Sequence, residues 1–210
     1  MKKIFLSALL FVMLISMSYE LSYASCPSGY YSGFVYKNIS GCNFKVTYCY
    51  KCDPTGVTDI QLDTITIPLG CSLSLALNNL QAISEAAVYN IISTGGCTTQ
   101  PCGTIPPTVY SIKVSTNICN RVVNTVYFNG VDSLHLNTLL IPCDPGGAYC
   151  ERRYAVCVDN NQTPPVYYTN YLGSTPYGSP SCTAGVPTLP PSGKSMDEYW
   201  DTGCFTTGCN

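Results

Sequence analysis

Charged side chains are scarce in this chain. Ten residues are Lys or Arg and 12 are Asp or Glu, so charged residues make up 10% of the 210 positions, against about 25% in an ordinary soluble domain. Few and scattered cations exclude the basic face that binding to nucleic-acid phosphates requires. A surface built from Ser, Thr, Asn and Tyr does little to repel other copies of itself, which suits adhesion or assembly.

Residues and motifs that carry catalysis are also scarce. His135 is the one histidine, and no Gly-x-Ser-x-Gly nucleophile motif occurs. The Cys49-x-x-Cys52 pair has no second Cys-x-x-Cys and no thioredoxin-like pattern beside it, so structural bridging is favoured over redox or zinc chemistry. Nothing singles out a pair of carboxylates for glycoside hydrolysis. We therefore predict a protein that is not an enzyme and holds no cofactor or metal.

The longest apolar run lies at the N-terminus. Lys2-Lys3, apolar residues from Ile4 to about Ile15 and the small-residue site Ser22-Tyr23-Ala24 have the layout of a secretory signal peptide over residues 1–24. No later run approaches the ~20 apolar residues of a spanning helix. We predict an exported protein, extracellular or on the cell surface of a bacterium. A lipid anchor on Cys26 is the alternative, although Tyr23 stands where such sites usually have Leu.

Cysteine is abundant, with 14 residues in the chain. An even, dense set in an exported protein predicts up to seven disulfides, whose pairing cannot be deduced from the sequence. Cys42 and Cys49 point to opposite faces of a predicted strand, about 23 Å apart at ~3.3 Å per residue, so we expect them to have different partners. Cys150 and Cys157 repeat this spacing. The bridging candidates are Cys26, Cys42, Cys49, Cys52, Cys71, Cys97, Cys102, Cys119, Cys143, Cys150, Cys157, Cys182, Cys204 and Cys209, with Cys204 and Cys209 expected to close a local loop.

One stretch of sequence occurs twice. Residues 56–68 recur without a gap as residues 130–142, with Ile/Leu, Asp/Asn and Gln/His as the main exchanges. Ile60 and Leu62 share one face of an extended chain, whereas Ile65 and Ile67 have the opposite parity, so we predict a bulge at Asp63-Thr64. Two copies at this spacing indicate a duplicated β unit and not a leucine-rich solenoid.

Hydrophobic periodicity predicts the remaining elements. Alternation favours strands near 42–52, 108–114, 120–128 and 150–158, while a helical period with a Gly95-Gly96 stop favours one amphipathic helix at about 73–92 covering one face of a sheet. The predicted fold is mainly β and disulfide-rich, with two related antiparallel β units packed as sandwich-like sheets. The first unit spans 25–105 and contains the helix, and the second spans 106–162.

Residues 163–210 differ in composition. Prolines among tyrosines up to residue 193 favour an extended, polyproline-like arm over regular structure, followed by a disulfide-closed tail. Tyrosine rings give such an arm a flat contact surface. The arm either packs on its own domain, docks on a neighbouring subunit or presents its rings to a glycan. The predicted ligand or assembly contacts are Tyr167, Tyr168, Tyr171 and Tyr177.

Taken with the low charge and dense cysteines, these features predict a non-enzymatic extracellular structural or adhesive protein, of which a self-assembling surface fibre subunit is one form. Its expected partners are copies of itself or a cell-surface molecule such as a glycan. Two alternatives stay open: a monomeric secreted glycan- or protein-binding module, and a secreted hydrolase with an unrecognised site. Asn38 and Asn161 begin N-glycosylation sequons, which matter in a host that modifies them.

Overall fold

The protein is mainly β, as predicted, in a computed structural model that describes residues 26–53, 56–97, 99–103, 111–128, 133–144 and 146–209. The predicted signal peptide lies outside these residues. The strands are β1 (Tyr31–Ile39), β2 (Cys42–Asp53), β3 (Gly56–Ile67), β4 (Ser111–Asn117), β5 (Cys119–Phe128), β6 (Ser133–Pro142), β7 (Tyr149–Asp159), β8 (Val166–Tyr177), β9 (Trp200–Asp201) and β10 (Phe205–Thr206), and the helices are α1 (Leu73–Leu77) and α2 (Leu80–Ser93).

The strands form one mixed sheet that branches at β3. On one side, β3 pairs with β2, and β2 with β1. On the other side, the N-terminal half of β3 pairs in parallel with β4, which leads to β7 and β8. The C-terminal end of β3 pairs antiparallel with β6, which leads to β5, β9 and β10. The two repeat copies therefore meet edge to edge within one mixed sheet.

Helix α2 packs on one face of this sheet, called here the inner face. Its buried residues, among them Ile83 and Val88, join Phe44, Ile60 and Val114 of the strands in one core. The helical segment covers one face of the sheet, as predicted, but it is two helices and not one. The break lies at Asn78-Asn79, where the Asn79 side chain donates to the Leu75 carbonyl at 2.8 Å and so competes with continued helical bonding.

Helix α2 contacts both β1 and β8, the outermost strands on either side of the sheet region that it covers. The Asn90 amide donates to the Phe34 carbonyl of β1 at 3.3 Å. On β8, the Thr169 hydroxyl donates to Glu85 of α2 at 2.7 Å. Contacts from one helix to both edges mean that the sheet curves around α2. The opposite face, called here the outer face, is left for other contacts.

The predicted bulge at Asp63-Thr64 is confirmed. Thr47 pairs with Thr64 and Tyr48 with Leu62, so Asp63 is the extra residue. The bulge resets the parity of β3. As a result, both apolar pairs of the first copy reach the core, namely Ile60 with Leu62 and Ile65 with Ile67.

All 14 cysteines lie in seven disulfides, a number that fits an extracellular protein. Cys42 and Cys49 have different partners, as predicted, whereas the expected loop between Cys204 and Cys209 is wrong because each bonds to the second half of the sheet. Cys26 is bridged, so its sulfur is not available to a lipid. The pairs are Cys26–Cys49, Cys42–Cys71, Cys52–Cys97, Cys102–Cys157, Cys119–Cys182, Cys143–Cys204 and Cys150–Cys209. Neither helix of the described residues has the length and apolar character needed to cross a membrane.

The expectation of an arm without regular structure fails for its first part. Residues 166–177 are strand β8, which pairs with β7 along its whole length. Tyr and Thr favour strands, and Pro176 is tolerated because β8 is an edge strand. Residues 178–199 then cross the molecule without regular structure, fastened by Cys182, before β9 and β10 pair with β5.

Candidate ligand-binding cleft

A polar cleft of about 550 Å³ opens on the outer face of the sheet. This volume is within the ~300–1,000 Å³ common for small-molecule sites. Side chains of β2, β3, β4 and β7 form its floor, while Tyr30 and the turn at Gly146-Gly147 form its walls. The cleft is therefore built from four strands, the N-terminal segment and one turn.

Strand register assembles the floor. Because opposed residues share a face of the sheet, polar residues line up across the strands while Ile60 and Val114, which lie between them in sequence, enter the core. The first row contains Lys51, Asp59 and Lys113, and the second contains Gln61, Ser115 and Glu151. Arg153 is next to Lys113 in register but lies outside the lining of the cleft. The charges of the first row alternate in sign, so Asp59 lies between two lysines.

The N-terminal segment forms one wall and is fastened over the sheet. Cys26 bonds to Cys49, whose side chain lies on the outer face of β2. Four residues further, the Tyr30 hydroxyl donates a short hydrogen bond to Asp59. The Gln61 amide donates to both Tyr30 and Asp59 at 3.2 Å. Partial burial and the adjacent carboxylate raise the pKa of Tyr30 to about 12, so this hydroxyl remains protonated at physiological pH.

Glu151 lies at the base of the cleft with only 6% of its surface exposed. Arg153 donates to one of its carboxylate oxygens at 2.7 Å, and the Lys113 ammonium is 4.0 Å from the other. Burying a carboxylate without such partners is costly. The pairing fixes the acceptor oxygens of Glu151 in place.

The opposite wall contains an aromatic pair. The rings of Tyr149 and Tyr177 stack with their centroids 5.2 Å apart and their planes 18° from parallel. Tyr149 lines the cleft beside the Gly146-Gly147 turn. A Cβ atom at residue 147 would collide with the Asp144 side chain, so any other residue there would require that side chain to move. The result is a ring held at a fixed angle at the edge of a polar floor.

The four tyrosines predicted as contacts do not form one surface. Tyr177 supports the cleft wall, whereas Tyr167 and Tyr171 pack against the core and contact the rings of Tyr89 and Tyr154. Tyr168 lies on the outer face, with 48% of its surface exposed, opposite Cys157. Their role in ligand binding or assembly stays a prediction.

His135 lies outside this cleft, in β6. Its Nε2 atom is 3.0 Å from the Thr138 hydroxyl, which donates to the Asn124 side chain at 2.9 Å. Asn124 in turn donates to the backbone carbonyls of Met196 and Glu198. This chain of bonds fastens residues 196–198 to the hairpin of β5 and β6. Among the described residues, no three His, Cys, Asp or Glu side chains converge on a point that would hold a metal ion.

Sequence reasoning missed the floor of the cleft. Polar alternation does place Asp59 and Gln61 on one side of β3, and Glu151 and Arg153 on one side of β7. The missing information is that β4 lies between these strands, which creates the cleft from residues about 90 positions apart in the chain.

Comparison with known proteins finds no relative whose site could be set beside this cleft. No family model, curated protein or solved structure matches the chain.

Proposed function

We propose that this protein is a non-enzymatic extracellular adhesive protein that holds its target in the cleft on its outer face. The observation that carries the proposal is the hydrogen-bonded cluster of Tyr30, Asp59 and Gln61, fastened to the sheet by the Cys26–Cys49 disulfide. A site that is ordered before binding loses little conformational entropy when its ligand arrives. Adhesion under extracellular conditions benefits from this rigidity.

The two carboxylates of the cleft also support binding. Asp59 accepts hydrogen bonds from Tyr30 and Gln61, and Glu151 accepts one from Arg153. Carboxylates fixed in this way are directional acceptors for the hydroxyl or amide groups of a ligand. They serve the proposed function without any covalent step.

The test is retention of the labelled, oxidised mature protein on intact cells and on extracellular matrix. Gln61→Ala and Tyr149→Ala should each reduce retention by about fivefold or more, since contacts in the centre of a site dominate its affinity. Tyr199→Ala is the matched control, because Tyr199 is 59% exposed and lies outside the cleft. Equal retention of all three variants would contradict the proposal.

A specific observation favours a second candidate, a structural role by self-assembly. Among the described strands, β1 pairs with β2 alone. Tyr31, Phe34 and Tyr36 of β1 are 62%, 56% and 55% exposed, and Lys45 lies over the Phe34 ring at 5.1 Å. An edge strand with exposed aromatic residues is a template for pairing with another copy.

Two substitutions of one residue test this candidate. The bond from Asn90 shows that the Phe34 carbonyl points away from β2, so the Tyr36 N–H, two residues on, points in the same direction. Tyr36→Pro removes that donor and Tyr36→Ala removes only the ring. If copies assemble through this edge, light scattering and electron microscopy over a concentration series should show polymers that Pro abolishes and Ala weakens. A monomer at every concentration would reject the structural role.

A further inference from the structure

The structure assigns a ligand class to the cleft: we propose that it binds a neutral carbohydrate residue, with the sugar ring against Tyr149 and its hydroxyl groups on the polar floor. The proposal rests on the proposed function, because it names the chemistry of the target that the same cleft would hold. Three observations carry it, namely the charge balance of the lining, the mixture of donors and acceptors, and the fixed aromatic wall.

Charge balance excludes ligands that bind mainly by their charge. The lining holds two cations, Lys51 and Lys113, and two anions, Asp59 and Glu151. A phosphate, sulfate or uronate entering the cleft would meet a carboxylate wherever it meets a lysine. An amino sugar or a basic peptide would meet a lysine wherever it meets a carboxylate. Because both signs alternate over the floor, a ligand without net charge leaves fewest groups uncompensated.

The polar groups match a polyol. Each sugar hydroxyl is both a donor and an acceptor, and the floor offers both kinds of group within one cleft. Carboxylate oxygens of Asp59 accept, the ammonium of Lys113 donates, and the side chains of Gln61, Ser115 and Asn117 do both. A hydrocarbon ligand would leave these groups without partners, which is costly in a partly enclosed site.

The aromatic wall complements the less polar face of a sugar ring. Ring C–H groups give a carbohydrate an apolar face, and a tyrosine ring offers apolar area with a polar tip. Tyr149 is held by stacking on Tyr177, so contact with a ligand requires little further ordering of its side chain. Tyr168 is also on the outer face, but it lies nine residues along β8 from Tyr177, roughly 30 Å at strand spacing. Only a long oligosaccharide bound in the cleft would reach it.

The experiment compares methyl glycosides that differ in one substituent, which is neutral, anionic or cationic. Oxidised mature protein is titrated with the methyl glycosides of glucose, glucuronate and glucosamine, and with the galactose series, by calorimetry and ligand-observed NMR. We expect at least one neutral sugar to bind about fivefold or more tightly than its charged analogues. Its affinity should change less than about twofold between about 50 and about 500 mM NaCl, because screening acts on charge pairs.

Variants tie the binding to the cleft. Tyr149→Ala should weaken binding about fivefold or more, whereas Tyr149→Phe, which keeps the ring, should weaken it less than about threefold. Tyr199→Ala should have no effect, and thermal unfolding of each variant shows whether it folds. Tighter binding of a charged sugar with steep salt dependence, or no sugar binding at about 50 mM, overturns this inference. If cell retention still depends on Gln61 and Tyr149 in that case, the adhesive function stands and its target is not a neutral sugar.

Discussion

The two copies of the repeat share a sequence but turn opposite sides of their strands toward the inner face of the sheet. Ile65 of the first copy faces α2 and lies opposite Leu140, whereas Leu139, its counterpart in the second copy, lies opposite Thr66 on the outer face. The counterparts Ile60 and Leu134 are correspondingly 0% and 63% exposed. A one-residue difference in register exchanges the faces of a strand. The repeated sequence thus encodes a bulged strand, and neighbouring elements decide which of its sides becomes core.

Different segments cover the hairpin of β2 and β3 and the hairpin of β5 and β6. The first is covered by α2, which follows its repeat after the short helix α1. In the described part of the chain, β7 and not a helix follows the second repeat. The β5–β6 hairpin is covered by the C-terminal tail, where Trp200 and Phe205 join Val122 and Leu140 in the core. Cys143–Cys204 links the end of the second repeat to this tail. The helix is local in sequence, while the tail is distant and depends on disulfides.

The largest expected effect is the difference in free energy of unfolding between substitutions at Ile60 and at Leu134. Ile60→Ala should lower the free energy of unfolding by about 2–4 kcal/mol, since it removes a fully buried side chain and leaves a cavity. Leu134→Ala at the equivalent position of the repeat should change it by less than about 0.5 kcal/mol, because that side chain is in solvent. Denaturant titration of the oxidised proteins measures both values.

If Ile60→Ala and Leu134→Ala lower the free energy of unfolding equally, then the same side of the repeat is buried in both copies. In that case the comparison of faces is wrong. Ile60→Val serves as the graded control, with an expected loss of roughly 0.5–1.5 kcal/mol.

The next effect concerns how the tail is held. Replacing Cys143 and Cys204 by Ser opens a bridge between residues 61 positions apart, which should cost about 2–4 kcal/mol through the greater freedom of the unfolded chain. Hydrogen exchange should then rise in β5, β6, β9 and β10 before it rises in β2 and β3. The matched control, Cys42→Ser with Cys71→Ser, should show the reverse order. Uniform exchange in both variants would show that the hairpins do not unfold separately.

The sequence predicted the parts of the fold that depend on neighbours along the chain. The bulge at Asp63, the different partners of Cys42 and Cys49 and the helical cover over the sheet follow from parity and period. The parallel pairing of β3 with β4 and the inverted second copy do not, because they depend on which edges meet in space. The cleft belongs to this second class, since Asp59 and Glu151 become neighbours only through β4.

The smallest effect concerns Asp63, the extra residue at the bulge of the first copy, whose counterpart in the repeated sequence is Asn137. Burial raises the pKa of Asp63, although hydrogen bonds from Thr64 and Thr47 offset part of that rise. The folded state therefore holds the Asp63 proton more tightly than the unfolded state does. Stability from this group is present below the ordinary Asp pKa of about 3.9 and is lost as pH rises through the folded pKa.

Asp63→Asn removes this dependence and should leave the protein equally stable or up to about 1 kcal/mol more stable at pH 7. The measurement is the free energy of unfolding between about pH 3 and about pH 7, where the wild type should lose stability relative to the variant. Asn137→Asp is the control from the second copy. If Asp63→Asn instead destabilises the protein at pH 7, then the bonds from Thr47 and Thr64 outweigh the cost of burial. The charged bulge would in that case contribute to holding the first copy with its apolar side on α2.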